Sequence, residues 1–213
     1  MSRFDLQPLR TVLAGPEAAA RVASRPAGGG RPAAVLIALA DIDGDTEVVL
    51  VEKNARLRSH SGQMAFPGGA MEPSDASPIA AALREAEEEV GLRPDEVEVL
   101  GVLPAAYVRA SDFDVTSVVA RWTSPRALMP VDVGEIAAVH SVAIDVLLEP
   151  ANRVTWQLPN GFAGPGFVAG ELFVWGFPAY LLDGMFELAG WTLPWDASRV
   201  SDVPERFFRG RGR

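Results

Sequence analysis

One segment constrains the architecture more than any other: residues 77–91, a capped amphipathic helix set between runs of apolar and β-branched residues. Ser77 is a good N-cap, Pro78 suits the first helical position, and Gly91 is a natural stop. Upstream, residues 33–40 and 47–52 are strand-like, and the Asp41-Ile-Asp-Gly-Asp45 turn between them predicts a hairpin. Residues 54–77 read as a loop that contains the Phe66-Pro-Gly-Gly69 turn. Downstream, residues 97–103, 115–122 and about 136–142 read as strands, and residues 145–148 as a short helix. A late hairpin over 153–158 and 167–175 and an amphipathic helix over 177–188 complete the pattern. The order lacks regular βαβ alternation. It predicts an α/β (α+β) fold, with helices on the faces of a mixed sheet.

A chain of 213 residues suits one large domain. Residues 1–32 read as an N-terminal extension, a short helix followed by a flexible Pro26-Ala-Gly-Gly-Gly-Arg-Pro32 approach. Residues 33–197 form the domain. Residues 198–213, ending in a basic run, read as a mobile tail.

Charge and residue usage exclude several kinds of function. The net charge of −9 disfavours a dedicated nucleic-acid binder, which needs a basic face. An acidic protein still handles anionic substrates when a divalent cation bridges the two. With no cysteine there is no disulfide, no thiolate catalysis and no cysteine-ligated zinc. With two histidines, His60 and His140, a histidine-rich metal site is excluded too. The N-terminus lacks the long apolar stretch of a signal peptide, and residues 33–40 are too short to span a bilayer. The expectation is a cytoplasmic protein without a membrane partner.

At about 100° per residue, Ile79, Ala82, Leu83, Ala86 and Val90 share one face of the helix and pack inward. Glu85 and Glu89 stack one turn apart on the flank of that stripe, and Glu88 lies beside them, nearer solvent. Three carboxylates at i, i+3 and i+4 repel by about 0.2–0.5 kcal/mol per pair unless a cation intervenes. Oxygen ligands gathered in this way suit a hard cation such as Mg²⁺ or Mn²⁺. Arg84, one turn before Glu88, can orient it by an ion pair. Taken alone, a run such as Glu85-Ala-Glu-Glu-Glu89 is more often a solvated helix face.

The loop before the helix changes that balance. Gly69-Ala-Met-Glu-Pro-Ser-Asp75, a spacer of eight residues, and then Arg84-Glu-Ala-Glu-Glu-Glu-Val-Gly-Leu92 resemble the Nudix box. That family's pattern is Gly, five residues, Glu, seven residues, then Arg-Glu-apolar-X-Glu-Glu-X-Gly-apolar. The second half matches at every specified place. In the first half Asp75 stands where Glu is usual, and the spacer is one residue longer. Leu57-Arg-Ser-His-Ser-Gly-Gln-Met-Ala-Phe-Pro-Gly-Gly69 resembles the signature of Nudix coenzyme A diphosphatases, a subgroup similar in both departures. Val49-Leu-Val-Glu-Lys-Asn54 departs from that subgroup's Leu-Leu-Thr-X-Arg-Ser, and Leu172-Phe-Val-Trp-Gly-Phe-Pro-Ala-Tyr-Leu-Leu182 departs from the Trp-Gly-X-Thr-Ala-Gly stretch at Pro178 and Tyr180.

The resemblance spans about residues 33–196 and implies a Nudix-type α/β/α sandwich. It implies metal-dependent hydrolysis of a pyrophosphate linkage, with coenzyme A or an acyl-CoA split into 3′,5′-ADP and 4′-phosphopantetheine. It makes Glu85 and Glu89 metal ligands, with Glu88 assisting through metal or water and the Gly69 carbonyl completing the set. ADP-ribose or another dinucleotide is the alternative substrate, and a non-catalytic nucleotide sensor is the alternative of another class. A homodimer is compatible with the sequence.

Other residues carry two readings each. Arg58 and Gln63 suit a phosphate or nucleotide oxygen, or simple solvation. His60 suits substrate contact or loop anchoring. Gly68, beside Gly69, suits a tight turn that is structural and functional at once. Glu135 is a late acidic ligand or base, though loop charge is the commoner reading. Trp156 and Trp175 suit adenine stacking, but buried tryptophans are mostly core.

Overall fold

The computed structural model describes residues 4–15, 26–57 and 61–208. Its larger sheet is built around β1 (Arg31–Ile42) and β2 (Asp45–Lys53). These form the expected hairpin, with Asp43 and Gly44 both at positive φ (51° and 99°) in the two-residue turn. Two short strands, β3 (Met64–Ala65) and β4 (Gly68–Ala70), lie within the segment expected as loop and pair with β2 and β1. Beyond the helix α2 (Pro78–Val90) come β5 (Val97–Val108), β6 (Phe113–Trp122) and β7 (Ile136–Ala143). The strand order is β3-β2-β1-β6-β5, with β4 also on β1 and β7 on β2. Since β1 runs parallel to β6 and antiparallel to β2, the sheet is mixed.

Helices cover both faces. From β1 and β2, Ile37, Leu39, Val48 and Leu50 face a core shared with α1 (Gln7–Leu13), α3 (Ile144–Leu148) and α4 (Gly176–Leu188). The alternate residues Leu36, Ala38, Val49 and Val51 face α2 (Pro78–Val90). Burial on both sides explains why these strands read as continuous apolar runs, not alternating ones. The architecture is thus an α/β/α sandwich with a mixed central sheet, as expected.

Three segments are placed more specifically than their sequence indicates. The N-terminal residues are not merely an extension: α1 buries Leu9 and Leu13 and packs on β5, where Gly101 leaves room that a Cβ would fill at 2.5 Å from Leu13. Residues 198–208, part of the segment expected as a tail, pack on the domain. They supply β11 (Val200–Asp202), parallel to β8 (Arg153–Gln157) in a second sheet, and bury Val203 and Phe207 against Trp156 and Phe173. Two apolar side chains in a charged stretch suffice to dock it. Last, the segment 167–175 is divided by a turn at Gly170, φ 60°, into the end of β9 (Ala163–Ala169) and β10 (Leu172–Val174). The late hairpin is β8–β9. Among the described residues no helix is long and apolar enough to cross a membrane.

Candidate active site

Helix α2 starts and stops where its caps dictate. The Ser77 hydroxyl accepts from the Ala80 N–H at 3.2 Å, and Gly91 closes the helix at φ 71°. Ala82, Ala86 and Val90 are buried against the sheet, with Ile79 and Leu83 packed beside them. The glutamates graduate outward from that stripe: the side chains of Glu89, Glu85 and Glu88 are 4%, 18% and 59% exposed.

The three carboxylates do not converge on one another, as the helix geometry had suggested; two fixed cations divide them. Arg84 makes a fork on Asp75, Nε to Oδ1 and Nη2 to Oδ2 at 3.0 Å each. Its Nη1 donates to Glu85 at 3.0 Å and to Glu88 at 2.9 Å, and its Nη2 also reaches the Ala70 carbonyl at 3.3 Å. Glu89 turns inward instead, because its position is the deeper one and a buried carboxylate needs partners. Its Oε1 accepts from Lys53 Nζ at 2.7 Å and its Oε2 from the Gly68 N–H at 3.1 Å. Lys53 has a second acceptor, Glu135 Oε1, also at 2.7 Å.

Burial pushes the Glu85 carboxyl above the usual glutamate value, opposed by Arg84 and aided by Glu88 and Glu135. Burial does the same to Glu89, and Lys53 and the Gly68 N–H do not cancel it. Burial would lower Lys53, yet Glu89 and Glu135 outweigh it, so the ammonium is held above its ordinary value. The Arg84 fork, and then the Glu72 N–H, hold Asp75 below the usual carboxylate range. Its stabilising effect is therefore complete above 3.8 and is lost as pH falls through the lowered value. Denaturant unfolding at a series of acid pH values checks this. Asp75→Asn is expected to flatten the acid loss of stability, and an unchanged slope would refute the assignment.

Two glycines shape the site. A Cβ on Gly68 would stand 2.4 Å from the Ala34 carbonyl oxygen, and one on Gly69 would stand 2.6 Å from Glu85 Oε1. The bare Gly69 thus forms a cradle facing the Glu85 carboxylate. Among the described residues no three Asp, Glu or His side chains are gathered so as to hold a metal ion unaided. The Glu85 carboxylate that faces Gly69 nonetheless offers oxygen, the donor type that a hard divalent cation takes.

Other expected site residues fare differently. Arg58 and His60 lie outside the described residues. Gln63 is buried and donates from Nε2 to the Phe207 carbonyl at 3.2 Å, tying its loop to the C-terminal segment. The Gly68 N–H is turned to Glu89. Trp156 is buried with Phe173, Val203 and Phe207, and packs edge-on to Trp175 at 5.5 Å, which favours the core reading. Glu135, read first as loop charge, is joined to the glutamate helix through Lys53. Lys53 itself was passed over as a site residue. The signal was available: it is the only lysine in the chain, and all the other basic side chains apart from the two histidines are arginine.

The NUDIX domain model matches residues 30–159. Nudix hydrolase 3 of Caenorhabditis elegans is 38% identical over 125 residues, covering 58% of this chain and 52% of that protein. An uncharacterized Nudix hydrolase, NudL, of Citrobacter koseri is 58% identical over 72 residues, covering 34% of this chain and 37% of its own. The chain thus spans about half, or less, of the length of these curated relatives. Among solved structures, a Nudix hydrolase from M. smegmatis, RenU, aligns with a TM-score of 0.46 and 27% identity, over 56% of this chain and 74% of that one. The domain match takes in more than half the chain, including the central strands of the larger sheet and the whole glutamate helix, and on that extent the chain belongs to the Nudix family.

Proposed function

We propose that the chain hydrolyses a pyrophosphate linkage in a nucleotide substrate, and that this substrate is coenzyme A or an acyl-CoA, cut into 3′,5′-ADP and 4′-phosphopantetheine. The observation that carries the reading is the graded glutamate helix, with Glu85 facing the Gly69 cradle and Arg84 forked between Asp75 and the outer glutamates. The Leu57–Gly69 segment supports the coenzyme A assignment through its resemblance to that subgroup's signature.

Glu85, Glu89 and Glu88, with the Gly69 carbonyl, would hold Mg²⁺ or Mn²⁺. Such an ion neutralises pyrophosphate charge and lowers the pKa of a bound water. Arg84 orients Glu85 and Glu88, and its fork on Asp75 fixes the guanidinium from behind. Glu88, the most exposed of the three, has the best access to a water proton. Glu89 is aimed from beneath by Lys53 and Gly68. Arg58 and His60 supply a guanidinium fork and an imidazole suited to the substrate's phosphate oxygens.

Mass spectrometry of the products tests this after incubation with Mg²⁺ or Mn²⁺ and, separately, coenzyme A, ADP-ribose and NADH. The expected result is 3′,5′-ADP from coenzyme A, abolished by EDTA. Cleavage of ADP-ribose or NADH alone would keep the hydrolysis and discard the coenzyme A assignment. No cleavage with either metal would point to a nucleotide-sensing domain.

A further inference from the structure

A chain that draws all but one of its Lys and Arg residues from arginine places its single lysine, 11% exposed at the side chain, between two carboxylates. The geometry there suits an ammonium. Nζ stands 2.7 Å from both Glu89 and Glu135, which lie on elements 46 residues apart in sequence, and among the described residues no other cation bridges the two. An ammonium is a compact point charge that meets both carboxylates from a single atom, whereas a guanidinium spreads its donors over a planar fork, as Arg84 does across Asp75, Glu85 and Glu88. The backbone converges on the same place. Asn54 N–H donates to the Glu135 carbonyl at 2.6 Å, the Asn54 side chain to Val133 at 3.1 Å, and Val131 N–H to the Glu89 carbonyl at 2.9 Å. The loop carrying Glu135 is therefore pinned both to the end of β2 and to the glutamate helix, and Lys53 is the charged element of that junction.

We infer that Lys53 is a positioning residue: a built-in cation that holds Glu89 and the Glu135 loop in place, and whose charge a divalent cation at the glutamates can replace. The inference rests on the metal-binding role proposed for Glu89. It goes beyond it by making the Lys53 charge exchangeable with that of the metal and by extending its hold to the Glu135 loop. Without Lys53, Glu89 is a buried carboxylate facing Glu135 that loses its counter-charge among the described residues, which is costly. A divalent cation ligated by Glu89 restores positive charge at that point.

The test is thermal unfolding of the full chain as wild type, Lys53→Met and Lys53→Arg, each in EDTA and in saturating Mn²⁺ or Mg²⁺. In EDTA, Lys53→Met is expected to lose roughly 5–15 °C of Tm, the cost of a broken buried pair in a chain of this size. Metal is expected to recover most of that loss, so the metal-induced rise is larger in Lys53→Met than in wild type. Lys53→Arg, which keeps the charge, is expected to respond to metal as wild type does. Should Lys53→Met not fold in EDTA, refolding with metal decides: recovery supports the inference, and failure in both conditions overturns it. A Lys53→Met deficit equal with and without metal overturns it as well, since a purely structural lysine would behave so. A second readout needs no variant. Lysine-selective isotope labelling gives one side-chain signal, expected to shift with Mg²⁺ and broaden with Mn²⁺. A wild type that neither gains Tm nor moves that signal on adding metal sinks the metal reading and the inference together. A wild type that responds, beside a metal-independent Lys53→Met deficit, sinks the inference alone.

Discussion

Glu85→Gln is expected to reduce kcat at least roughly 10³-fold while leaving Tm near the wild-type value. The catalytic half follows from its place against the Gly69 cradle. The stability half follows from its surroundings: its side chain is 18% exposed, and its cation Arg84 is shared with Asp75 and Glu88, so an uncharged amide strands no buried charge. Arg84 keeps Asp75, Glu88 and the Ala70 carbonyl as partners. Glu89→Gln is expected to behave differently. Activity falls as far, but Lys53 is left with only the half-exposed Glu135. Removing one member of a buried pair costs about 3 kcal/mol or more, or about 10 °C in Tm for a chain of this size. The wheel alone puts both glutamates on the flank of the core and makes both substitutions mild; the structure separates them. Kinetics and thermal unfolding of the two variants side by side are decisive. Full activity in either would end the mechanism, and equal Tm values would end the distinction.

The adjacent glycines make a second contrast of similar size. In Gly68→Ala the new methyl group meets backbone, the Ala34 carbonyl oxygen at 2.4 Å and Val35 Cα at 2.6 Å, at a φ of 154°. Neither atom can swing aside without breaking the β1–β4 pairing of Val35 with Gly68 and Ala34 with Gly69. A loss of about 3 kcal/mol or more is expected, together with displacement of the N–H that supports Glu89. In Gly69→Ala the nearest atoms that the methyl group meets are those at the end of the Glu85 side chain, which can rotate away. That variant is expected to keep its Tm within a few degrees and to lose most of its activity, because the carboxylate no longer faces the cradle. A stable Gly68→Ala protein, or a fully active Gly69→Ala protein, would contradict the roles given to these positions.

What the sequence made legible is what short-range chemistry controls. The helix from Pro78 to Val90 could be read because its cap, its stop and its apolar stripe all lie within the segment itself. The β1–β2 hairpin could be read because its two-residue turn needs positive φ, and Asp43-Gly44 supplies it. Asp75, where the family pattern has Glu, takes the Arg84 fork, a contact nine residues away in sequence that the motif itself does not reveal. The partnership of Lys53 and Glu135 spans 82 residues and depends on β2 lying against β7, which periodicity does not reveal. Burial of Glu89 was missed because the wheel gives an angle and not the depth at which the sheet meets the helix. The docking of residues 200–208 was missed because two apolar side chains do not make a pattern.

The pairing of β11 with β8 also bears on the order in which the parts can form as the polypeptide leaves the ribosome. Every strand of the larger sheet has emerged once Ala143 is out, so the glutamate helix can settle on it early. The smaller sheet cannot be completed until Val200 arrives, and Gln63 must wait for Phe207, synthesised 144 residues later. A nascent chain stalled between those points would carry the paired glutamate helix while Trp156 still lacks Val203 and Phe207 as cover, a sticky intermediate whose lifetime is set by the pace of translation.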